Sequence, residues 1–264
     1  MVSVFVVIAV AIAGGTSYGI ARLDSHIDGL LLSEVDQATF TFVDLPRSLV
    51  SLAGGDLEAS LDGVRNHRWT SEDMCRQVAK AIDEVGWIAR VDSVRRRAAG
   101  RFEIRATYRE PAALVQLEDY FLLVDRSGVR LPGRYAYDPR WPVIQGIAAA
   151  APGPGLKWSG GDLRAGLAVI DSIAHEPFSG QVTGVLVGNF GGRVDPRASH
   201  IELATDRAGG RIRWGSAPGL EVEENLVPHK VAILRQNYQR TGRLDAGYPV
   251  IDISTFADRF TVPR

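Results

Sequence analysis

Apolar and polar positions follow two periods along this chain, and the clearest switch between them lies from Trp69 to Leu114. Thr70 is placed to cap a helix in which Met74, Cys75, Val78, Ile82 and Val85 recur at three- and four-residue spacing, and Gly86 ends it. Trp87-Ile88 opens an extended run through Val91 and Val94 to Arg95-Arg96-Arg97. After a turn at Ala98-Ala99-Gly100, Phe102, Ile104, Ala106 and Tyr108 alternate with mostly polar neighbours as far as Arg109-Glu110-Pro111. The pattern predicts a helix over 70–85 and strands over 87–95 and 102–108. Residues 39–43 alternate as a strand that stops at Pro46, and Leu57, Ala59 and Leu61 alternate as another short strand. These elements together make a small αβ domain.

The second half is β-rich with two inserted helices. Residues 120–124 and 129–131, joined by Asp125-Arg126-Ser127-Gly128, read as a hairpin. An amphipathic helix over 162–174 carries Leu163, Leu167, Ile170 and Ile173 on one side. Strands follow over 182–187, 200–204 and 211–214. Pro228 starts a helix whose Val231, Leu234 and Tyr238 share a face, and Gly242 stops it. Residues 250–253, a turn at Ala257-Asp258 and residues 260–262 close the chain. The run 148–155 ends in alternating Pro and Gly, which hold neither helix nor central strand.

The N-terminus adds a different kind of segment. From Val2 to Ala21 there is no charged side chain, and twenty helical residues at ~1.5 Å each span roughly the thickness of a hydrocarbon core. Arg22, Asp24 and Asp28 mark its exit. A cleaved signal peptide is the competing reading; Ala11-Ile12-Ala13 offers small residues, but nothing basic precedes Val2. The expected class is α+β: an N-terminal transmembrane helix (1–22), a juxtamembrane linker (23–36), the small αβ domain (37–116) and a mostly antiparallel β domain with inserted helices (117–264). The bulk of the chain is expected outside the cytoplasm, on a single pass through the cytoplasmic membrane.

Composition narrows the chemistry. The 264 residues carry a net charge of -1 with 23% charged residues, so net charge points to no nucleic-acid or acidic-lipid partner. The single Cys75 excludes an intramolecular disulfide and, on the apolar side of its helix, reads as a small buried hydrophobe. No two histidines stand at the four-residue spacing of a helix-borne metal site. Neither a Gly-x-Ser-x-Gly elbow nor a phosphate loop occurs, and Gly188-Asn189-Phe190-Gly191-Gly192 lacks the following helix that a phosphate cradle needs. Asp125, Asp171, Asp206 and Asp252 are far apart, with nothing to select an acid/base pair among them. Arg95-Arg96-Arg97 reads either as a basic patch or as the solvated end of a hairpin. A binding protein is expected rather than an enzyme, with no cofactor, no metal and no small-molecule substrate.

These residues carry a resemblance to the FtsQ/DivIB family of bacterial cell-division proteins, whose small domain is a POTRA module. It runs from Trp87-Ile88 through Val94-Arg95-Arg96 to Ile104, Tyr108 and Arg109-Glu110-Pro111-Ala112-Ala113, and on to Val124-Asp125-x-x-Gly128. Leu131-Pro132, Trp141-Pro142-Val143-Ile144-x-Gly146, Ile201-Glu202-Leu203 and Ile212-Arg213-Trp214-Gly215 are similar to later family motifs. Lys230, Val231 and Leu234 resemble the family's late helix, and Ile251-Asp252-Ile253 the start of its closing strands. The family's Val-x-Val-x-Gly strand is not found in 37–68. Where its closing strand carries an arginine two residues after the aspartate, Ser254 stands here, and the aromatic falls at Phe256.

The resemblance implies a POTRA-like domain over 37–116 and a non-enzymatic scaffold of the divisome. Its implied partners are FtsB/FtsL-like coiled-coil membrane proteins, captured by strand addition at the last β edge. That edge would be Arg259, Phe260, Thr261 and Val262, with Phe256 before it; Phe260 and Val262 would face one way and Arg259 and Thr261 the other. Phe260 reads equally as a core residue of a terminal strand. Pro263, lacking a backbone donor, would end the edge. Two alternatives stay open: another POTRA-type envelope adaptor in secretion or assembly, and an extracytoplasmic enzyme whose carboxylates converge only in the fold.

Overall fold

In the computed structural model, which describes residues 38–65, 71–97 and 100–255, the chain divides at Tyr108 and Arg109 into two units. The first unit begins with β1 (Thr39–Val43), which buries Phe40 and exposes Thr39 and Thr41, as its alternation predicts. Pro46 then stands at the N-cap of α1 (Arg47–Ser60), which buries Leu49, Ala53 and Leu57 at four-residue spacing. The short strand expected at Leu57, Ala59 and Leu61 is therefore helical. Leu57 and Leu61 continue the buried series begun by Leu49, while Ala59 is exposed, and Gly54-Gly55 had lowered the helical signal.

A single turn at Asp62–Arg65 precedes α2 (Ser71–Asp83), which buries Met74, Val78 and Ile82 and leaves Cys75 half-buried. β2 (Ile88–Arg96) and β3 (Arg101–Tyr108) pair antiparallel, and β1 joins β3 in parallel, so the sheet order is β1-β3-β2. The Phe40 and Phe102 rings meet at 5.7 Å between centroids. The buried Trp87 donates its indole N–H to Asp56 Oδ2 at 2.8 Å, which ties α1 to the start of β2.

The second unit is a seven-stranded sheet with two helices. Its strands are β4 (Pro111–Gln116), β5 (Phe121–Asp125), β6 (Val143–Gln145), β7 (Val182–Leu186), β8 (Ile201–Thr205), β9 (Arg211–Gly215) and β10 (Val250–Asp252). They lie in the order β10-β9-β8-β7-β6-β4-β5. Helix α3 (Asp162–Ile173) connects β6 to β7, and α4 (Val227–Thr241) precedes β10, ending at Gly242 with φ 73°. Leu163, Leu167 and Ile173 of α3 and Val231 and Leu234 of α4 share one core with Val115, Val124, Ile144, Val185, Leu203, Ile212 and Trp214 of the sheet.

Two parts of the expected class need correction. The sheet is mixed, not mostly antiparallel: β4 with β6, β6 with β7, and β10 with β9 are parallel. The three residues of β6 are too few to show a period, so the β6-α3-β7 crossover left no strand signal at its start. Nor is any helix among the described residues long and apolar enough to cross a membrane; the longest, α4, has 15 residues and only one apolar face. The transmembrane helix expected over 1–22 and the linker over 23–36 lie outside the described residues. The boundary expected after Gln116 falls instead at Tyr108, because β4 belongs to the second sheet. The expected hairpin of 120–131 forms as isolated bridges on the edge of β5 away from β4, with Asp125 donating to Val129 O and Leu131 to Leu123 O.

Two motifs of the sequence explain themselves here. Arg109 and Asp125, sixteen positions apart, form an ion pair at 2.9 Å, and Asp125 also accepts the N–H groups of Ser127 and Val129 and the Ser127 hydroxyl. Gly146 has φ 82°, and a Cβ there would lie 2.7 Å from Gly188 Cα, so only glycine lets the end of β6 pass the end of β7. Replacing Asp125 by alanine strands the largely buried Arg109 and three donors. The Asp125→Ala variant is expected to lose about 3 kcal/mol of unfolding free energy in urea titration, and a loss below about 1 kcal/mol would show the cluster to be dispensable.

Candidate partner-binding edge

The two ends of the large sheet are finished differently. At the β5 end, residues 129–135 run along the outer side: Phe121 and Tyr135 exchange backbone bonds, Leu131 donates to Leu123 O, and Asp125 donates to Val129 O. At the other end, β10 has one neighbour among the described residues, β9. Pro249 O and Ile253 N bond to β9, so by alternation the amides of Val250 and Asp252 face the opposite way.

This short strand is pinned at both ends. Before it, Arg243 grips Asp245 through two bonds of 2.9 and 2.8 Å and reaches Asp206 at 2.6 Å, while Arg207 approaches Asp245 at 3.4 Å. Asp245 also accepts the Gly247 N–H at 2.8 Å, and its carbonyl accepts from Tyr248, so the turn delivering the chain to β10 is tied to the β8–β9 loop. Burial would raise the Asp245 carboxyl, but the Arg243 and Gly247 bonds and the Arg207 charge hold it below the usual carboxylate range.

After the strand, Asn225 catches three successive carbonyls. Its side-chain amide donates to Ile253 O at 3.0 Å and Thr255 O at 2.7 Å, and its backbone N–H donates to Ser254 O at 2.7 Å. Ser254 closes a local turn by donating its N–H and hydroxyl to Asp252 Oδ1 at 2.9 and 2.6 Å. Behind Asn225, the fully buried Lys230 points its Nζ at Glu224 Oε2, 3.2 Å away, and lies 5.3 Å from the centre of the Trp214 ring. Glu224 accepts the Ser216 N–H and hydroxyl as well, at 2.9 and 3.0 Å. Sequence reasoning placed Lys230 only within a helix motif; its burial and its partner, six positions away, carry no local signal.

The residues expected to make the edge itself, Phe256, Arg259, Phe260, Thr261 and Val262, lie outside the described residues, which reach Thr255. The four scattered aspartates do not converge. Asp125 is held by Arg109, Asp206 by Arg243 and Asp252 by its own turn, while Asp171 lies 3.9 Å from Arg126. Asp171 is the one carboxylate lining a cleft of about 400 Å³ walled by Tyr137, Trp141, Pro142, Ile170 and Ile173. Among the described residues no cluster of His, Cys, Asp and Glu is assembled as a metal site. Gly191 and Gly192 form a tight turn whose neighbour Arg193 is spent on Asp162. Burial pushes the Cys75 thiol up, which keeps it protonated and weakly reactive.

Because the Asp245 carboxyl is lowered in the folded chain, its stabilisation is complete above the ordinary carboxylate pKa of about 4 and fades as pH falls through the lower folded value. Asp245→Asn is expected to flatten the acid limb of stability against pH below about 4, measured by thermal unfolding. An unchanged acid limb would assign the acid sensitivity to other carboxylates. No protein-family model matches this sequence, and no curated protein matches it.

Proposed function

We propose that this chain is a non-enzymatic scaffold of the bacterial divisome, of the FtsQ/DivIB type, that captures a small FtsB/FtsL-like coiled-coil division protein by strand addition. The observation that carries this reading is the asymmetry of the large sheet. One end is closed by residues 129–135, and the other ends in a three-residue strand, pinned at both ends, whose chain leads on to residues 256–264. A partner strand gains affinity from backbone hydrogen bonds and specificity from alternate side chains, so such an end is where augmentation is physically favoured. The order of elements supports the same reading: a small αβ unit, then a β-rich unit with a late helix. So does the pairing of Arg109 with Asp125, which joins the two motifs that carry most of the resemblance. Phe256, Arg259, Phe260, Thr261 and Val262 are the proposed contact residues, and the uncharged segment from Val2 to Ala21 is the proposed attachment to the cytoplasmic membrane.

The test is recovery of small coiled-coil membrane proteins with the tagged chain from its own membranes, with and without residues 256–264. Truncation is expected to abolish recovery, and Phe260→Lys or Thr261→Pro to reduce it at least about tenfold, through loss of an aromatic anchor or of a backbone donor. Recovery that survives all three changes would remove the contact from this edge. A reporter fused after Arg264 is expected to be active only outside the cytoplasm, and activity inside would reverse the proposed topology.

A further inference from the structure

The first unit has an outward sheet face with an unusual charge. The pairings that set Thr41, Glu103 and Arg95 side by side, and likewise Val43, Arg105 and Ser93, bring Arg90, Arg95, Arg97, Arg101 and Arg105 to this one face. Its carboxylates are Asp92 and Glu103, with Asp44 just past the end of β1. Arg90 pairs with Asp92 at 2.7 Å, Arg97 with Glu103 at 2.7 Å and Arg105 with Asp44 at 3.5 Å. Arg95 and Arg101 are exposed and have no carboxylate at ion-pair distance among the described residues. The hydrophobic side chains of the sheet, Phe40, Phe102, Ile104 and Ile88, are buried on the opposite side.

We propose that this face binds the anionic phosphate headgroups of a lipid bilayer. Guanidinium groups bond phosphate oxygens through two parallel N–H donors, and an array of them on a sheet presents several donors to one plane at once. The face carries Val43 at its edge but no aromatic side chain, whereas the centre of a protein interface is built of apolar and aromatic anchors with charge depleted. Only residues 22–38, at most roughly 60 Å of extended chain, separate β1 from the uncharged segment that ends at Ala21, so the face is within reach of the surface that segment is proposed to enter. Attraction of this kind amounts to roughly 1 kcal/mol per arginine near an anionic surface and fades within a Debye length.

The experiment is flotation of the full chain with vesicles of phosphatidylcholine alone and with vesicles of an equal mixture with phosphatidylglycerol. The apolar N-terminal segment contributes to both, so the readout is the ratio between them, at low and at raised salt. A higher partition onto the phosphatidylglycerol vesicles is expected, lost as salt rises. The double variant Arg95→Glu/Arg101→Glu is expected to lower that ratio about tenfold or more, and Arg95→Gln/Arg101→Gln, which spares Glu103 a new like charge, to lower it by less. Equal partition onto both vesicles, or a ratio unmoved in the two variants, would overturn the assignment. So would capture of a soluble polyglutamate peptide without any preference for phosphatidylglycerol, which would give the face to an acidic protein segment. Flotation reads lipid alone, so it succeeds or fails independently of partner capture at β10.

Discussion

In the second unit, the parallel centre of the sheet depends on one ion pair, between the buried Asp162 and the exposed Arg193. Asp162, at the first position of α3, accepts the N–H groups of Ala148 at 2.8 Å and Leu163 at 2.9 Å, and it receives Arg193 at 3.1 Å. Arg193 in turn donates to Gly188 O, Val187 O and Gly146 O. The end of β6, the start of α3 and the end of β7 therefore meet on two side chains. A parallel crossover brings strand ends together without a tight turn, so their backbone groups need partners from elsewhere. A carboxylate at a helix N-terminus, facing a guanidinium with several donors, meets that need.

The same logic shapes the far end of the sheet. β10 is short and parallel to β9, and three residues of ladder hold little by themselves. Charge clusters supply the remainder: Arg243, Asp245, Asp206 and Arg207 before the strand, Asn225 with Glu224 and Lys230 after it. Burying Lys230 completely is tolerable because Glu224 and the Trp214 face stand against its ammonium group, and removing either partner would leave a charge without water. An edge fixed in this way is pre-organised, and the strand addition proposed above would then cost less entropy in ordering the site than a mobile edge would demand.

The two units place their charge differently. In the second, arginines are spent inside ion pairs that fix loops, such as Arg109 with Asp125 and Arg235 with Glu176. In the first, β2 and β3 turn four arginines to one outward face, with Arg97 just past β2 as a fifth, and fewer carboxylates meet them. A near-neutral chain thus holds a locally cationic surface, because the alternation of a strand sorts its residues by face whatever the overall balance.

Residues with a clear period were legible without the structure. The helices α2, α3 and α4 lie where apolar spacing and the stops at Gly86 and Gly242 put them, and β1, β2, β3, β7, β8 and β9 lie within a few residues of their expected bounds. Amphipathic period is a local property, carried by neighbours in the chain. What remained hidden was non-local or too short to repeat. Alternation is the same in parallel and antiparallel strands, so the three parallel pairings could not be read from it. Leu57, Ala59 and Leu61 fit both periods, and only packing beside Leu49 and Ala53 decided for helix. The pairs Asp162 with Arg193 and Arg109 with Asp125, and the Asn225 clamp on residues 253–255, join positions distant in sequence. The sequence by itself determined the helices and strands that carry a clear period and which of their faces are apolar; the tertiary structure alone decided the helix over Arg47–Ser60, the short strand β6, which strands are neighbours, in which direction, and which charges meet, because those depend on distances that only the folded chain sets.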